Sequence, residues 1–169
     1  RVLVVGAARS GVAAAAWLAG RGARVTVSDA SDKADVSGLT SLDVRIELGP
    51  HRPESFLGAD LIVVSPGVSP WLPIIQAARL RGVPVIGELE LAWRFLKGRV
   101  IAVTGTKGKS TTTTLIGRMC EAGGLHTLVG GNLGPPVSGH IDASTPETVH
   151  VIETSSFQLE TTETFRPWV

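Results

Sequence analysis

The sequence predicts an α/β fold with a mostly parallel sheet, and two observations carry that expectation. Apolar runs of strand length alternate with helical patterns, and glycine-bearing turns follow two of those strands directly before a helix. Val2 to Val5 reads as a buried strand, Val12 to Arg21 as an Ala-rich helix stopped by Gly22, and Arg24 to Ser28 as the next strand, ending at Asp29. Residues 30–42 are polar and read as a loop, after which Val44 to Leu48 alternates like a half-exposed strand. Asp60 to Ser65 is a further buried strand, Pro73 to Arg81 a helix, Val83 to Ile86 a short strand and Glu88 to Leu96 a helix. Five strands and their helices complete one unit. Lys97-Gly98-Arg99 breaks the pattern, and the expected boundary divides residues 1–97 from 98–169. The second unit repeats the plan: a strand from Val100 to Thr104, a glycine loop, a long helix through about Ala122, and strands at Thr127 to Val129 and His150 to Glu153. With roughly 70 residues it lies near the low end for a self-sufficient α/β domain and is expected to be incomplete.

Composition excludes several function classes. Of 169 residues 43 % are hydrophobic and 18 % charged, enough apolar material for a core and too little charge for a disordered chain. The net charge is +1, and the cations are spread over both halves, so the basic stripe of a nucleic-acid-binding surface is missing. Cys120 is the sole cysteine and permits no intramolecular disulfide; with no signal-peptide pattern, a cytoplasmic location is the default expectation. Apolar stretches such as Val12 to Ala19 fall far short of the ~20 residues that span a bilayer. Arg1 enters an apolar run without an initiator Met, and Pro167-Trp168-Val169 falls where another strand could begin, so a cut piece of a longer chain is expected.

Three places are expected to hold chemistry. The first is Gly6-Ala7-Ala8-Arg9-Ser10-Gly11, between strand and helix, with Asp29 ending the next strand 23 residues after Gly6. This follows the dinucleotide fingerprint, in which glycines make the turn, admit phosphate and let helix pack on strand, while the acid accepts from ribose or base; Ala8 replaces the middle glycine. The second is Thr104-Gly105-Thr106-Lys107-Gly108-Lys109-Ser110-Thr111, a P-loop variant with Val103 where the leading glycine usually stands. Gly105 and Gly108 permit a nest of backbone N–H groups, the helix N-terminus attracts anions, Lys109 reaches terminal phosphates, and Ser110 holds the Mg²⁺ that travels with them. The third is Glu153, at the end of a buried strand, where a carboxylate completes a nucleotide-bound Mg²⁺ shell as a Walker-B acid does. The histidines at 51, 126, 140 and 150 lack metal-ligand spacing and read as surface or packing residues. Cys120 reads as a small buried residue, and Trp17, Trp71, Trp93 and Trp168 as helix-face or interdomain residues. Glu88 and Glu90 lie too near the joint to be assigned catalysis from spacing.

Together these motifs resemble the Mur ligases of peptidoglycan synthesis, most closely the D-glutamate-adding branch. The resemblance spans the whole chain and rests on Gly6 to Gly11, Ser65-Pro66-Gly67-Val68, Gly87-Glu88-Leu89-Glu90-Leu91, Gly105 to Thr113, Gly130-Gly131-Asn132-Leu133-Gly134 and Glu153-Thr154-Ser155-Ser156-Phe157-Gln158-Leu159-Glu160. It implies a Rossmann-like parallel-sheet N-terminal domain that holds the UDP of a sugar precursor, followed by the first part of a P-loop α/β ATPase-type central domain. It further implies that Gly6, Arg9, Ser10, Gly11, Asp29, Ser65, Gly67, Asn132, Ser155 and Gln158 serve the UDP-substrate, with Asp29 at the uracil. Gly105, Thr106, Lys107, Gly108, Lys109, Ser110 and Thr111 serve ATP, Lys109 and Glu153 are catalytic, and Ser110 with Glu153 holds Mg²⁺. The implied reaction is ATP-dependent ligation of D-glutamate to UDP-N-acetylmuramoyl-L-alanine through an acyl phosphate, by a monomer that binds no nucleic acid. A metal-binding His, a carbamylated Lys and a third domain, which the family supplies, lie outside these residues. The chain alone is therefore expected to bind the precursor, bind ATP weakly and ligate nothing detectable. Lys107 stands where Asn is usual, Thr154 where Leu is common, Ala8 for Gly, and Ala30 for a hydroxyl-bearing or bulkier residue. The alternatives are an alanine-adding ligase of the same family, an NAD-binding sensing module joined to a P-loop NTPase, or a noncatalytic nucleotide-binding fragment.

Overall fold

The structure, a computed structural model, describes all 169 residues. The apolar run β1 (Val2–Val5) leads through a glycine turn into α1 (Arg9–Ala19) and on to β2 (Val25–Asp29). A 3-10 turn (Ser37–Leu39) precedes β3 (Val44–Leu48), then α2 (Pro53–Leu57), β4 (Leu61–Val64), α3 (Pro73–Leu80), β5 (Val85–Gly87) and α4 (Glu88–Trp93) follow. These five strands form one parallel sheet in the order β3-β2-β1-β4-β5. Strand order reverses direction between β1 and β4, so their C-terminal ends open a crevice, the place where open α/β sheets bind ligands.

The second sheet comprises β6 (Arg99–Val103), β7 (Thr127–Gly131) and β8 (Val149–Glu153), parallel and in the order β6-β8-β7. Helix α5 (Lys109–Ala122) connects β6 to β7, a 3-10 turn (Val137–His140) precedes β8, and α6 (Ser156–Leu159) follows it. Trp168 and Val169 bond to Val100 and Ala102 on the free edge of β6, where a new strand was expected to start.

One apolar core joins the two sheets: Val4, Ala14, Trp17 and Leu18 of the first unit share it with Leu89 and Leu91 of α4 and with Val100, Val137, Ile141 and Ile152 of the second. A separate core under α2 and α3 contains Leu3, Val5, Phe56, Ile62 and Ile75. Polar contacts lock the joint. Trp17 Nε1 donates to Asp142 Oδ1 at 3.2 Å, Arg21 stacks on the Trp17 ring while pairing with the same carboxylate, and the Ser138 N–H donates to buried Glu88 Oε1 at 2.6 Å. Glu90 accepts from the Glu163, Thr164 and Phe165 N–H groups, from the Thr164 hydroxyl and from Arg94, clamping the segment after α6 onto α4.

Several expectations need correction. Helix α1 starts at Arg9 rather than Val12, because Gly6, with φ +94°, completes the turn early and Val12 N already donates to Ala8 O. Arg9, Ser10 and Gly11 therefore form a helix's first turn. The loop 30–42 contains the 3-10 turn that buries Leu39, and Pro53 at the first position of α2 starts a helix the periodicity did not predict. Helix α4 ends at Trp93, short of Leu96. Cys120 is half-buried rather than buried. Of the tryptophans expected on helix faces or an interdomain surface, Trp71 is exposed in the turn before α3 and Trp168 lies under Arg99 near β6.

Candidate functional site

The crevice is built from two turns that hold each other. Gly6 N donates to Ser28 O at 2.8 Å, and Ser65 Oγ, from the turn after β4, donates to Gly6 O at 2.9 Å. Close approach fixes Gly11: a Cβ there would lie 1.8 Å from Gly6 O. Ala8 stands in extended backbone with φ −73°, which tolerates a side chain and explains how the turn survives without the usual glycine. Asp29 Oδ2 accepts from Ala7 N at 2.6 Å and Oδ1 from Ser31 N at 2.8 Å. The acid expected at a base thus also tethers the glycine turn, each oxygen keeping a lone pair for a ligand.

Two cavities that meet at Ser65 and Gly67 open on this crevice, beside a third of about 740 Å³ lined by Ala7, Arg9, Asp29 and Ser31, among others. One of about 370 Å³ is lined by Gly6, Asp29, Ala30, His51, Gly67 and Leu72, among others. His51, which its spacing places among surface or packing residues, is part of its wall. The other, about 190 Å³, lies between the two sheets and brings together Arg9, Ser10, Ser65, Gly67, Asn132 and Gln158, six of the residues expected to serve a UDP-substrate. Ser155 does not line it. Its Oγ accepts from Gln158 N while Gln158 Oε1 accepts from Ser155 N, a capping box that starts α6 and presents Gln158 to the cleft.

The turn after β6 is open. Gly105 and Gly108 adopt φ +137° and +80°, and a Cβ at either would meet nothing within 4 Å. Thr106 and Lys107 are exposed, and α5 begins without a side-chain cap or an acid in its first turn, leaving its N–H groups facing outward. Lys109 Nζ donates to Gly105 O at 2.7 Å, with two ammonium protons to spare. Ser110 and Thr111 begin a shallow groove of about 420 Å³ that runs along α5 to Arg118.

Glu153 is 2 % exposed. Asn132 Nδ2 donates to its Oε1 at 2.8 Å, while Oε2 is buried without a partner. An orphaned carboxylate oxygen at the end of β8, in register with Val103 beside the open turn, is a fit place for a hard cation. No three His, Cys, Asp or Glu side chains cluster tightly enough to hold a metal by themselves. Glu153 and Ser110 would supply only part of a shell.

Other titratable groups serve the joint. Burial raises the Glu88 carboxyl above its usual range against the bonds from Ser138. Burial also pushes Glu90 up, but the bonds from Thr164, Glu163 and Arg94 outweigh it and hold the group at about 2. His140 stacks on His150 with ring centres 5.9 Å apart, and burial, then the neighbouring His150, lowers it to about 4. Both histidines are buried packing residues. Sequence reasoning missed the clamping role of Glu90, because the segment it holds, residues 163–165, lies more than 70 positions away.

Residues 1–87 match the family described as Mur ligase MurD-like, N-terminal domain. The chain belongs to the MurD-like Mur ligases. It is 48 % identical, over its whole length, to the UDP-N-acetylmuramoylalanine–D-glutamate ligase of Desulfatibacillum aliphaticivorans and 49 % identical to that of Acidobacterium capsulatum, also over its whole length. The chain spans 38 % of the length of each of these relatives. Among solved structures it resembles a murein peptide ligase from Psychrobacter arcticus with TM-score 0.58 and 20 % identity, over 92 % of this chain and 38 % of that one. It also resembles the UDP-N-acetylmuramate-alanine ligase of Thermotoga maritima with TM-score 0.56 and 24 % identity, over 92 % and 37 %. At these identities the structural likeness shows a shared fold. This MurD-like chain thus has the parallel α/β architecture that its sequence predicts.

Proposed function

We propose that this MurD-like chain binds UDP-N-acetylmuramoyl-L-alanine in the crevice of the first sheet and ATP at the turn after β6. It thereby supplies part of a cytoplasmic, monomeric ligase that adds D-glutamate to that precursor. The observation that carries this reading is the inter-sheet cleft, where Arg9, Ser10, Ser65, Gly67, Asn132 and Gln158 converge from four separate segments. The whole-length identity to D-glutamate ligases supports the same substrate. No helix is long and apolar enough to cross a membrane.

In this reading the nucleoside diphosphate lies across the turn at Gly6 to Gly11, with the base in the 370 Å³ cavity and the muramoyl arm in the cleft. Arg9 and Ser10, on the first turn of α1, offer a cation and a hydroxyl to the diphosphate, assisted by the open N–H groups of the helix. Lys109, the loop N–H groups and the start of α5 orient the ATP phosphates so that the L-alanyl carboxylate attacks the γ-phosphorus and ADP leaves. The amine of D-glutamate then displaces phosphate from the acyl phosphate, forming the amide. Mg²⁺, when bound, neutralises charge on the phosphoryl oxygens. Glu153 Oε2 and the Ser110 hydroxyl would hold it, and Asn132 keeps the carboxylate oriented through Oε1. Positioning and electrostatics supply the rate acceleration, and no covalent enzyme nucleophile is required.

Calorimetric titration with UDP-N-acetylmuramoyl-L-alanine, UDP-N-acetylmuramate and NAD⁺ tests the proposal. Saturable binding of the L-alanyl precursor, weakened about tenfold by Arg9→Ala, is expected. Tighter binding of the precursor lacking L-alanine would point to the alanine-adding branch, and binding of NAD⁺ alone would overturn the reading.

A further inference from the structure

His51 carries a feature that no motif announces. It follows β3, is half-buried, and lines the 370 Å³ cavity with Asp29, Ala30, Ser69 and Leu72. Two contacts fix its ring: Nδ1 lies 2.8 Å from Ser28 Oγ, and the ring meets Phe56 edge-on with centroids 5.3 Å apart. Ser28 is fully buried in β2, and its hydroxyl has no other hydrogen-bond partner. That settles the tautomer. If Nδ1 carried the proton, the Ser28 hydroxyl proton would be buried with no acceptor, an unfavourable state for a polar group. When Oγ–H donates to Nδ1 both atoms are satisfied, and the ring proton resides on Nε2. Nε2 is absent from the buried, unpartnered atoms and so is not sealed inside the protein.

We propose that His51 reads the base in this cavity, its Nε2–H donating to a carbonyl oxygen of a pyrimidine nucleotide. The inference rests on the reading of the crevice as a nucleotide site and assigns it a specificity. A uracil presents a keto oxygen beside an imide N–H. Cytosine presents an amino group beside an unprotonated ring nitrogen at the same positions. His51 offers a donor and Asp29 offers carboxylate acceptors in one cavity, the complement of uracil and the mismatch of cytosine. A site built this way rejects the wrong base because two donors, or two acceptors, would be forced together.

The test is calorimetric titration of the 169-residue chain with UDP and with CDP. The unaltered chain is expected to bind UDP about tenfold more tightly than CDP. His51→Phe preserves ring packing on Phe56 but removes both nitrogens; it is expected to weaken UDP about fivefold and leave CDP nearly unchanged. His51→Gln, which keeps a side-chain N–H donor, should retain most of the preference. Ser28→Ala leaves the ring in place but frees the tautomer, and should narrow the preference even if His51→Phe fails to fold. An unchanged ratio of UDP to CDP affinity in His51→Phe or in Ser28→Ala would overturn the role of His51 while leaving the nucleotide site standing. Absence of UDP binding to the unaltered chain would overturn both.

Discussion

The turn after β1 and the turn after β6 both lead from a parallel strand into a helix, but different physics holds their glycines. In the first, Gly11 is excluded from carrying a side chain by the Gly6 carbonyl, and Asp29 and Ser65 tie the turn to two neighbouring strands. In the second, Gly105 and Gly108 face open space and are required only by their left-handed φ. Around the first turn Asp29 and Ser65 already find protein partners, and the turn lines shaped cavities. Around the second, Lys109 bonds only its own loop, Glu153 Oε2 has no partner, and Leu115 and Met119 of α5 are exposed. A pocket that is finished before its ligand arrives binds with little ordering cost, whereas an open loop must be organised by the ligand itself. Precursor binding should therefore be strong in this chain and ATP binding weak.

Glycine substitutions should separate the two turns most clearly. Gly11→Ala should destabilise the chain by about 3 kcal/mol or more, because neither the carbonyl nor α1 can retreat from the new methyl group. Gly108→Ala, strained only in φ, should cost about 1–2 kcal/mol. Urea unfolding of both variants measures this, and equal losses would erase the distinction between a packed and an open turn.

The joint between the units should respond next. Glu90→Gln removes a carboxylate that accepts from the 163–165 segment and from Arg94, and a loss of about 2 kcal/mol is expected from the charged hydrogen bonds given up. Because the folded Glu90 sits at about 2, below its ordinary 4.5, its stabilisation is complete above about pH 4.5 and disappears as pH falls towards 2. Thermal unfolding between those values should slope less steeply in Glu90→Gln than in the unaltered chain.

Lys107→Asn should have the smallest effect. The side chain is exposed and makes no hydrogen bond or ion pair, so stability should change by less than about 0.5 kcal/mol. Mg-ATP affinity should fall about two- to threefold, with a weaker dependence on salt. An unchanged affinity would show that this cation points to solvent.

Strands were the most legible part of the sequence, since β1 and β3 are bounded by the apolar run Val2–Val5 and the alternation Val44–Leu48 themselves. Short helices were not. Helices α2 and α6 have too few residues to display a period, although the Ser155-to-Gln158 spacing is a capping-box signal. At the candidate site, glycine turns and strand ends announced Gly6, Asp29, Lys109 and Glu153, because the chemistry there depends on local backbone. The tether from Asp29 to Ala7, the Asn132–Glu153 bond, the Glu90 clamp and the Ser28–His51 pair join residues 21 to 75 positions apart. Such contacts are created by strand order and inter-sheet packing, neither of which local sequence patterns encode.

A finished first turn and an open second one imply a difference in affinity for their ligands. Parallel calorimetric titrations of one preparation of this chain, with UDP-N-acetylmuramoyl-L-alanine and with Mg-ATP, test it most directly. Saturation by the precursor is expected at concentrations where Mg-ATP gives no saturable heat. Mg-ATP binding as tight as, or tighter than, that of the precursor would contradict it.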